Sequence, residues 1–458
     1  MRENVINCDK IDFASILEVK VQKAVNEHAT FYIRGHVAEG SDIFVLQNSA
    51  SQGVKFTAFD PNEGQKEIFN GLISDIHIYT ENEMSIITMS LVSRSALMDL
   101  ERNTRTFQDG GMTYQQITDR MVEANDSFNF LWPKYGGKSI ESMTVQYRET
   151  DWTYTKRLAG QLGTVVVPDY LLDEPYISIG MTQRPIQSGI DTISFSIKKG
   201  TAEYRLFQQN GDYAERDAIS YIVKSRDIFD LCDGIPFMGK SLFVYAIDTV
   251  YEGNQLVHYY TLKEQSGFFT NKLFNENLIG VSLTGRVKDI RQDTVQVEVM
   301  NDVSQTEYKW FPYASPFTQP DGAGWYFMPE IGDEVRLQFP SEQEDDAYVS
   351  SATHITHGNR ANPEIKYIRT INEQIIQFCP ERIIIDDGAG SSVILDKNEG
   401  ISMSTNKMIT LDAQADIIFS ASGKIEVSGE KGISMQKGSS VINIDDMIDI
   451  SSEHTRVQ

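Results

Sequence analysis

Glu149 and Asp151 lie two residues apart and are the first side chains whose types and spacing could do chemistry. Paired carboxylates can share general-acid and general-base work when a histidine, cysteine or metal set nearby tunes them. No such residue is near in sequence, and Asp151 stands where a helix begins, so a role at the helix start outranks catalysis. His354 and His357 form a histidine pair, but residues three apart in a strand face opposite sides, and no cysteine or third histidine accompanies them. His454 stands alone near the C-terminal end, and three copies would bring three nitrogens, short of a closed octahedral metal site. Cys8, Cys232 and Cys379 are odd in number and far apart, which fits neither a disulfide framework nor a metal cluster. The expectation is a chain with no catalytic residues, no cofactor and no metal.

Composition narrows the partners. Asp and Glu number 65 against 41 Lys and Arg, and the net charge of −24 argues against nucleic acid or an anionic membrane as the main partner. The aromatics Trp310, Phe311, Tyr313, Trp325, Tyr326 and Phe327 could stack on bases or sugars. Few basic residues accompany them, so packing in a core or between copies is their better use. No apolar run is long enough to span a membrane, and the start MRENVINCDKIDF lacks the pattern of a signal peptide. The expectation is synthesis in the cytoplasm of a reducing cell.

Length suggests about three domains. The first domain is read as residues 1–276, and its first hundred or so residues are β-rich, with short strands at Phe31–Ile33, Ile43–Leu46, Ile73–Ile78 and Ile86–Val92. A helix is expected over 113–124 with Thr113 as its cap. A second follows Thr150 or Asp151, with Trp152, Thr155, Leu158, Ala159 and Leu162 on one face. Lys156, Arg157 and Gln161 fall on the other face, and Gly163 is the natural residue just past its end. Strand character returns over 165–275, with one helical interruption around Asp217–Val223. Residues 277–357 hold five short strands in the manner of a small OB barrel. Residues 358–380 read as a linker.

The last segment, 381–458, repeats with a period of eight. Apolar residues recur at i and i+2: Val393 with Leu395, Ile401 with Met403, Ile409 with Leu411, Ile417 with Phe419, Ile425 with Val427, and Ile433 with Met435. The spacing then falls on Val441 and position 443, and the pair Ile448 and Ile450 arrives one residue early. An i, i+2 pair lies on one face of a short strand, and the polar, glycine-bearing remainder lets the chain bend. Eight residues supply about a third of a β-solenoid coil. Three identical chains would complete each coil and leave no free strand edge. The expected form is an intertwined trimeric β-helix or prism, a needle whose core is made of these pairs.

Two motifs add a resemblance. Gln146, Tyr147, Glu149, Thr150, Asp151, Trp152, Tyr154, Arg157, Leu158 and Gly163 resemble the Q-Y-x-E-[ST]-D-[WF]-x-[FY]-x-x-R-L-x-x-x-x-G signature of the hub domain of VgrG and related phage tail proteins. Phe327, Pro329, Gly332, Asp333, Glu334, Val335 and Phe339 resemble the F-x-P-x-x-G-D-E-V-x-x-x-F element of that family's OB domain. The family usually continues with G-D-P-D-x-P-V-V, where this chain has SEQEDDAYVS. The resemblance implies a mainly β chain: a hub of two β-barrels with inserted helices, an OB barrel and a needle. It implies the structural spike of a contractile injection system, phage tail or tailocin, puncturing mechanically without a lysozyme domain. The implied partners are two further copies, a hexameric inner tube protein, baseplate proteins, a PAAR-type tip protein or effector, and transiently a target envelope. The alternative is a tailspike that binds or degrades carbohydrate on its β-helix or barrel.

Overall fold

The computed structural model describes residues 6–37, 52–60, 64–81, 84–124, 128–210, 213–304, 307–319, 321–352, 362–454 and 456. Ile43–Leu46 and the pair His354 and His357 lie outside the described residues. The chain divides into two units, 1–355 and 356–458.

Alternating side chains build the first unit. In Thr30–Val37, Phe31, Ile33 and Val37 turn inward, and in Met84–Ser93 the same holds for Ile87, Met89 and Leu91. These strands join an eleven-stranded sheet. Its two halves, expected as two barrels, meet where Lys20–Ala24 of one strand pairs with Ala246–Val250 of another. A buried polar knot fastens the same halves. Asp230 accepts a hydrogen bond from Tyr170 Oη at 3.0 Å and lies 4.0 Å from Lys23 Nζ and from Lys66 Nζ, and 3.4 Å from Arg184 Nη1.

The expected helix near Asp217–Val223 is a strand instead, Ile219–Ser225. Tyr221, Val223 and Ser225 alternate into the core, and the strand pairs with His258–Leu262, so period two wins over helical spacing there. The helix of this region lies earlier, at Thr201–Phe207.

Two helices pack against the smaller sheets that follow. The first, α1 (Tyr114–Ala124), starts with a reciprocal cap: Gln116 N donates to Thr113 Oγ1, and Thr113 N donates to Gln116 Oε1. The second, α2 (Asp151–Gln161), is capped by Thr150, whose Oγ1 accepts from Thr153 N at 3.2 Å. Beyond it Gly163 takes φ +61°, and an added Cβ would lie 2.8 Å from the Phe269 ring.

The small barrel runs through strands Ser282–Arg291, Thr294–Val299, Trp310–Pro312, Glu334–Gln338 and Tyr348–Ala352. Its first and last edges touch where Tyr313 bridges Val349 and Ala314 N donates to the Val349 carbonyl, which closes the barrel.

The second unit carries meanders of antiparallel strands. Leu395 stands opposite Ile401, and Val393 opposite Met403, so successive octads stack apolar on apolar. The sheet extends backward through Arg382–Asp386, Ile375–Phe378 and Lys366–Arg369. The segment 358–380 therefore carries two strands rather than acting wholly as a linker: Ile376 and Phe378 continue the same i, i+2 pattern opposite Ile385 and Ile383. A second, three-stranded meander follows at Ile433–Lys437, Ser440–Ile444 and Ile448–Ser451. In it Met435 stands opposite Ile442 and Ile433 opposite Ile444. Position 443 is Asn443, so the apolar residues of its middle strand are Val441, Ile442 and Ile444.

Within one chain the octad residues are largely uncovered. Ile401 is 74 % exposed, Met403 58 %, Leu411 61 %, Phe419 70 %, Val427 64 % and Met435 54 %. Leu395, Ile409, Ile417 and Ile425 are exposed as well, while Val393, Ile433 and Val441 are half-buried. The reason is geometric. A single sheet has nothing laid over its apolar face, and one strand per octad cannot cover its own side chains. Among the described residues, 406–432 form no strand, so Ile409 and Leu411, Ile417 and Phe419, and Ile425 and Val427 stand without intrachain ladders.

Candidate functional site

The residues that could do chemistry gather where the first domain meets the small barrel. The strand Thr144–Thr150 leads directly into α2 and pairs with Arg102–Phe107. This strand pair and the helix start that follows it carry Gln146, Glu149 and Asp151 into the interior.

Asp151 is buried and fully engaged. Its Oδ1 accepts from Arg105 Nη1 at 2.5 Å, from Gln146 Nε2 at 2.8 Å and from Asn103 Nδ2 at 3.3 Å. Thr150, not Asp151, caps the helix. Glu149 faces Arg157, whose Nε and Nη2 fork onto its two oxygens at 3.2 and 2.9 Å. Burial pushes the Glu149 carboxyl up, with Arg157 pulling the other way. Neither carboxylate is available as an acid or base, because each is tied to a guanidinium.

Arg157 corrects the expectation that it lies on the outer helix face: it is 3 % exposed. One turn of helix past Thr153, it points across the joint, and its Nη1 donates to Glu344 Oε1 of the small barrel at 2.7 Å. Burial alone would loosen its proton, and the carboxylates of Glu344 and Glu149 more than reverse that. Lys156 and Gln161 are part-exposed.

The short turn Glu344–Asp346 supplies a second clasp. Asp345 accepts from Lys309 Nζ at 2.5 Å and from the Ser142 hydroxyl. Burial would raise this carboxyl, but the hydrogen bonds from Lys309 and Ser142 outweigh it and hold it below its ordinary value. Gln108 Nε2 donates across the joint to the Val297 carbonyl, and Asn275 Nδ2 holds the Tyr147 carbonyl just before the barrel begins. Met143 and Val145 enter the same apolar cluster as Val287, Val295, Val297, Val335 and Leu337, so the barrel's core is completed by the neighbouring domain.

The remaining motif positions are structural. Trp152 is buried with its ring 4.2 Å from that of His28, Tyr154 is enclosed, and Leu158 lies in the helical core. In the barrel, Glu330–Asp333 form a tight turn closed by the Asp333 N–H donating to the Glu330 carbonyl. Gly332 takes φ +94° in it, and Asp333 Oδ2 accepts from Glu330 N. Pro329 is buried beside this turn, Glu334 starts the outgoing strand, and Val335 and Phe339 fill the core. Of the barrel aromatics, Phe311 is core, Trp310 and Tyr313 are half-buried, and Trp325, Tyr326 and Phe327 are exposed.

Sequence reasoning missed Asn103, Arg105, Asn275, Lys309, Glu344 and Asp345. The one available signal was SEQEDDAYVS: the stretch departing from the family pattern holds both carboxylates that clasp the first domain. Among the described residues, no group of three His, Cys, Asp or Glu could hold a metal ion. No helix among them is long and apolar enough to cross a membrane.

Residues 23–169 match the phage tail baseplate hub (GPD) family, and 283–354 match the type VI secretion system/phage-baseplate injector OB domain. The fold is similar to the E. coli c3393 protein, a type VI secretion component described as resembling T4 bacteriophage gp27 and gp5. Its TM-score is 0.52 at 12 % identity, covering 76 % of this chain and 99 % of that one. It is also similar to the half-lidded Francisella PdpA-VgrG complex, with TM-score 0.57 and 8 % identity over 85 % of this chain and 84 % of that one. The lidless PdpA-VgrG complex gives 0.56 and 10 %, covering 85 % and 94 %. No curated protein matches the sequence significantly. The chain is mainly β and carries, in this order, a segment matching the phage tail baseplate hub family and one matching the type VI secretion system/phage-baseplate injector OB domain, in a fold like that of these spike proteins.

Proposed function

We propose that three copies of this chain wind residues 366–458 into one needle, with the first domain as the hub that joins it to an inner tube and baseplate. The observation that carries this reading is the apolar face of the second unit. Ile376, Phe378, Ile383, Ile385, Leu395, Ile401 and Met403 share one face of the first meander and are exposed in a single chain. A sheet face of that size is costly to leave in water and is covered most economically by copies of itself. The octads over 406–432, which lack ladders in one chain, are the stretch where strands from different chains would pair. There Leu411, Phe419 and Val427 would turn from solvent to the shared axis.

The needle acts mechanically, transmitting contraction to the target envelope, without glycan-cleaving chemistry of its own. The neutralised, buried carboxylates at the joint support that reading. A PAAR-type protein or an effector covers the open strand edges near Ile448 and Ile450, and the particle carries the spike out of the cell that makes it. A carbohydrate-degrading tailspike draws no support from the family matches.

Light scattering on a sizing column tests the assembly. A trimer would weigh about three times the 51.8 kDa chain. A trimer that resists mild detergent is the expected result, and a stable monomer overturns it.

A further inference from the structure

The small barrel carries an ordered aromatic hairpin that no role described so far absorbs. Thr318 bridges Gly324, Gln319 N donates to the Ala323 carbonyl, and Trp325 N donates to the Phe317 carbonyl. Ser315 Oγ closes its base on the Trp325 carbonyl at 2.6 Å, and Tyr326 Oη is tied to the Gln292 carbonyl at 2.8 Å. Gly324 takes φ +142° with no room for a Cβ, which would lie 2.4 Å from the Phe317 carbonyl oxygen. The hairpin is thus held in shape, yet Phe317, Trp325, Tyr326, Phe327 and Ile331 are each at least half exposed.

Such a fixed aromatic patch has the make-up of the centre of a protein interface. Its surroundings favour one occupant. The hairpin itself carries Asp321 and Glu330 and no Lys or Arg, so it brings no basic groups of its own for a nucleic acid or anionic glycan. Asp321 and Asp333 already bind backbone N–H groups within their own turns, which leaves few polar groups to orient a neutral sugar. Chain connectivity supplies the partner. Thirteen residues separate Ala352 from Lys366, the first strand of the second unit, and even fully extended they reach roughly 45 Å. Three barrels tethered that closely to a shared needle meet at high effective concentration.

We infer that the 315–331 hairpin is a contact surface for the small barrel of a second copy of the same chain. This inference rests on the trimer reading above. Around a threefold axis the contact is heterologous, so the aromatic patch of one barrel meets a different face of the next.

The test uses the full-length protein of established mass. Subtracting the emission of Trp325→Phe from that of the wild type isolates Trp325 among the four tryptophans. In a trimer, the Trp325 component should be quenched by acrylamide several-fold less than free tryptophan. Phe317→Ser combined with Phe327→Ser should restore quenching while the mass stays trimeric. A trimer in which Trp325 is freely quenched overturns the hairpin contact and leaves the needle reading intact. Protection that survives the double substitution also overturns it, since the shielding would then lie within one hairpin. Quenching of Trp325 by soluble peptidoglycan fragments would assign a sugar site instead. A monomer would sink the contact together with the trimer.

Discussion

A guanidinium can be buried in a β protein only if its N–H groups find oxygens, and Arg157 finds them in two domains at once. Removing it strands Glu149 in the interior without its counter-charge. Arg157→Met should therefore lower stability by about 3–5 kcal/mol. Glu344→Gln keeps an oxygen toward the guanidinium and should cost less, about 1–2 kcal/mol. Urea midpoints read at unchanged slope would check both, and a near-neutral Arg157→Met would discount the joint. The helix register was readable from the sequence, but the inward turn of Arg157 was not, because its partner Glu344 lies 187 positions away. His258 offers a second residue-scale outcome. It is buried, bonded through Nδ1 to Thr249 Oγ1 at 2.7 Å, and pushed down to about 3 by burial and then by Lys23. The unfolded chain takes up this proton near pH 6.5 and the folded chain does not, so stability should fall as pH drops from there toward 3. The loss is on the order of 5 kcal/mol at most. In His258→Leu that part of the acid slope should vanish from thermal melts taken between pH 4 and 7, whatever the change in absolute stability.

Elements were legible where one period dominated. The strand around Ile86–Val92 and the helix cap at Thr113 were readable because each signal is local, while the reciprocal bond from Gln116 appears only in the structure. Ile219–Ser225 misled because a short apolar run fits both periods until its partner strand is known. The strands at 366–378 were hidden for a related reason: their pairs are spaced unlike the octads that follow. Periodicity also named the apolar face of the octads without saying what covers it. Leu411, Val427 and Met435 are apolar at the right spacing, yet one chain brings nothing to lay over them. The same alternation sets a test within the needle. Ile401 and Met403 share a face, and Ser402 lies on the other. Ile401→Asp with Met403→Asp should reduce the trimer to smaller species, whereas Ser402→Asp should leave its mass unchanged. Equal behaviour of the two variants in light scattering would reject the assignment of the buried face.

At the scale of the molecule, the order of parts was readable, but their dependence on one another was not. The barrel looks self-sufficient in sequence, yet Met143 and Val145 of the first domain sit in its core. A fragment of residues 277–357 should accordingly melt well below the barrel in residues 1–357, by several kcal/mol of lost burial. A fragment with equal stability and dispersed amide resonances would show that the barrel stands alone.

The spacing of the meander's apolar pairs has one more consequence. A ladder of identical rungs can slide by one rung at little cost, so three chains zipping together from uniform octads could lock out of step. Near the start of the needle the rungs are uneven. The pairs Ile376 with Phe378, Ile383 with Ile385, and Val393 with Leu395 stand seven and then ten residues apart, and only then does the period settle at eight. A displaced chain would set polar Asp386, Asp387 or Ser391 against a neighbour's apolar rung at this point. In the proposed trimer the irregular root would act as a vernier that sets the three strands to a common zero before the regular scale begins.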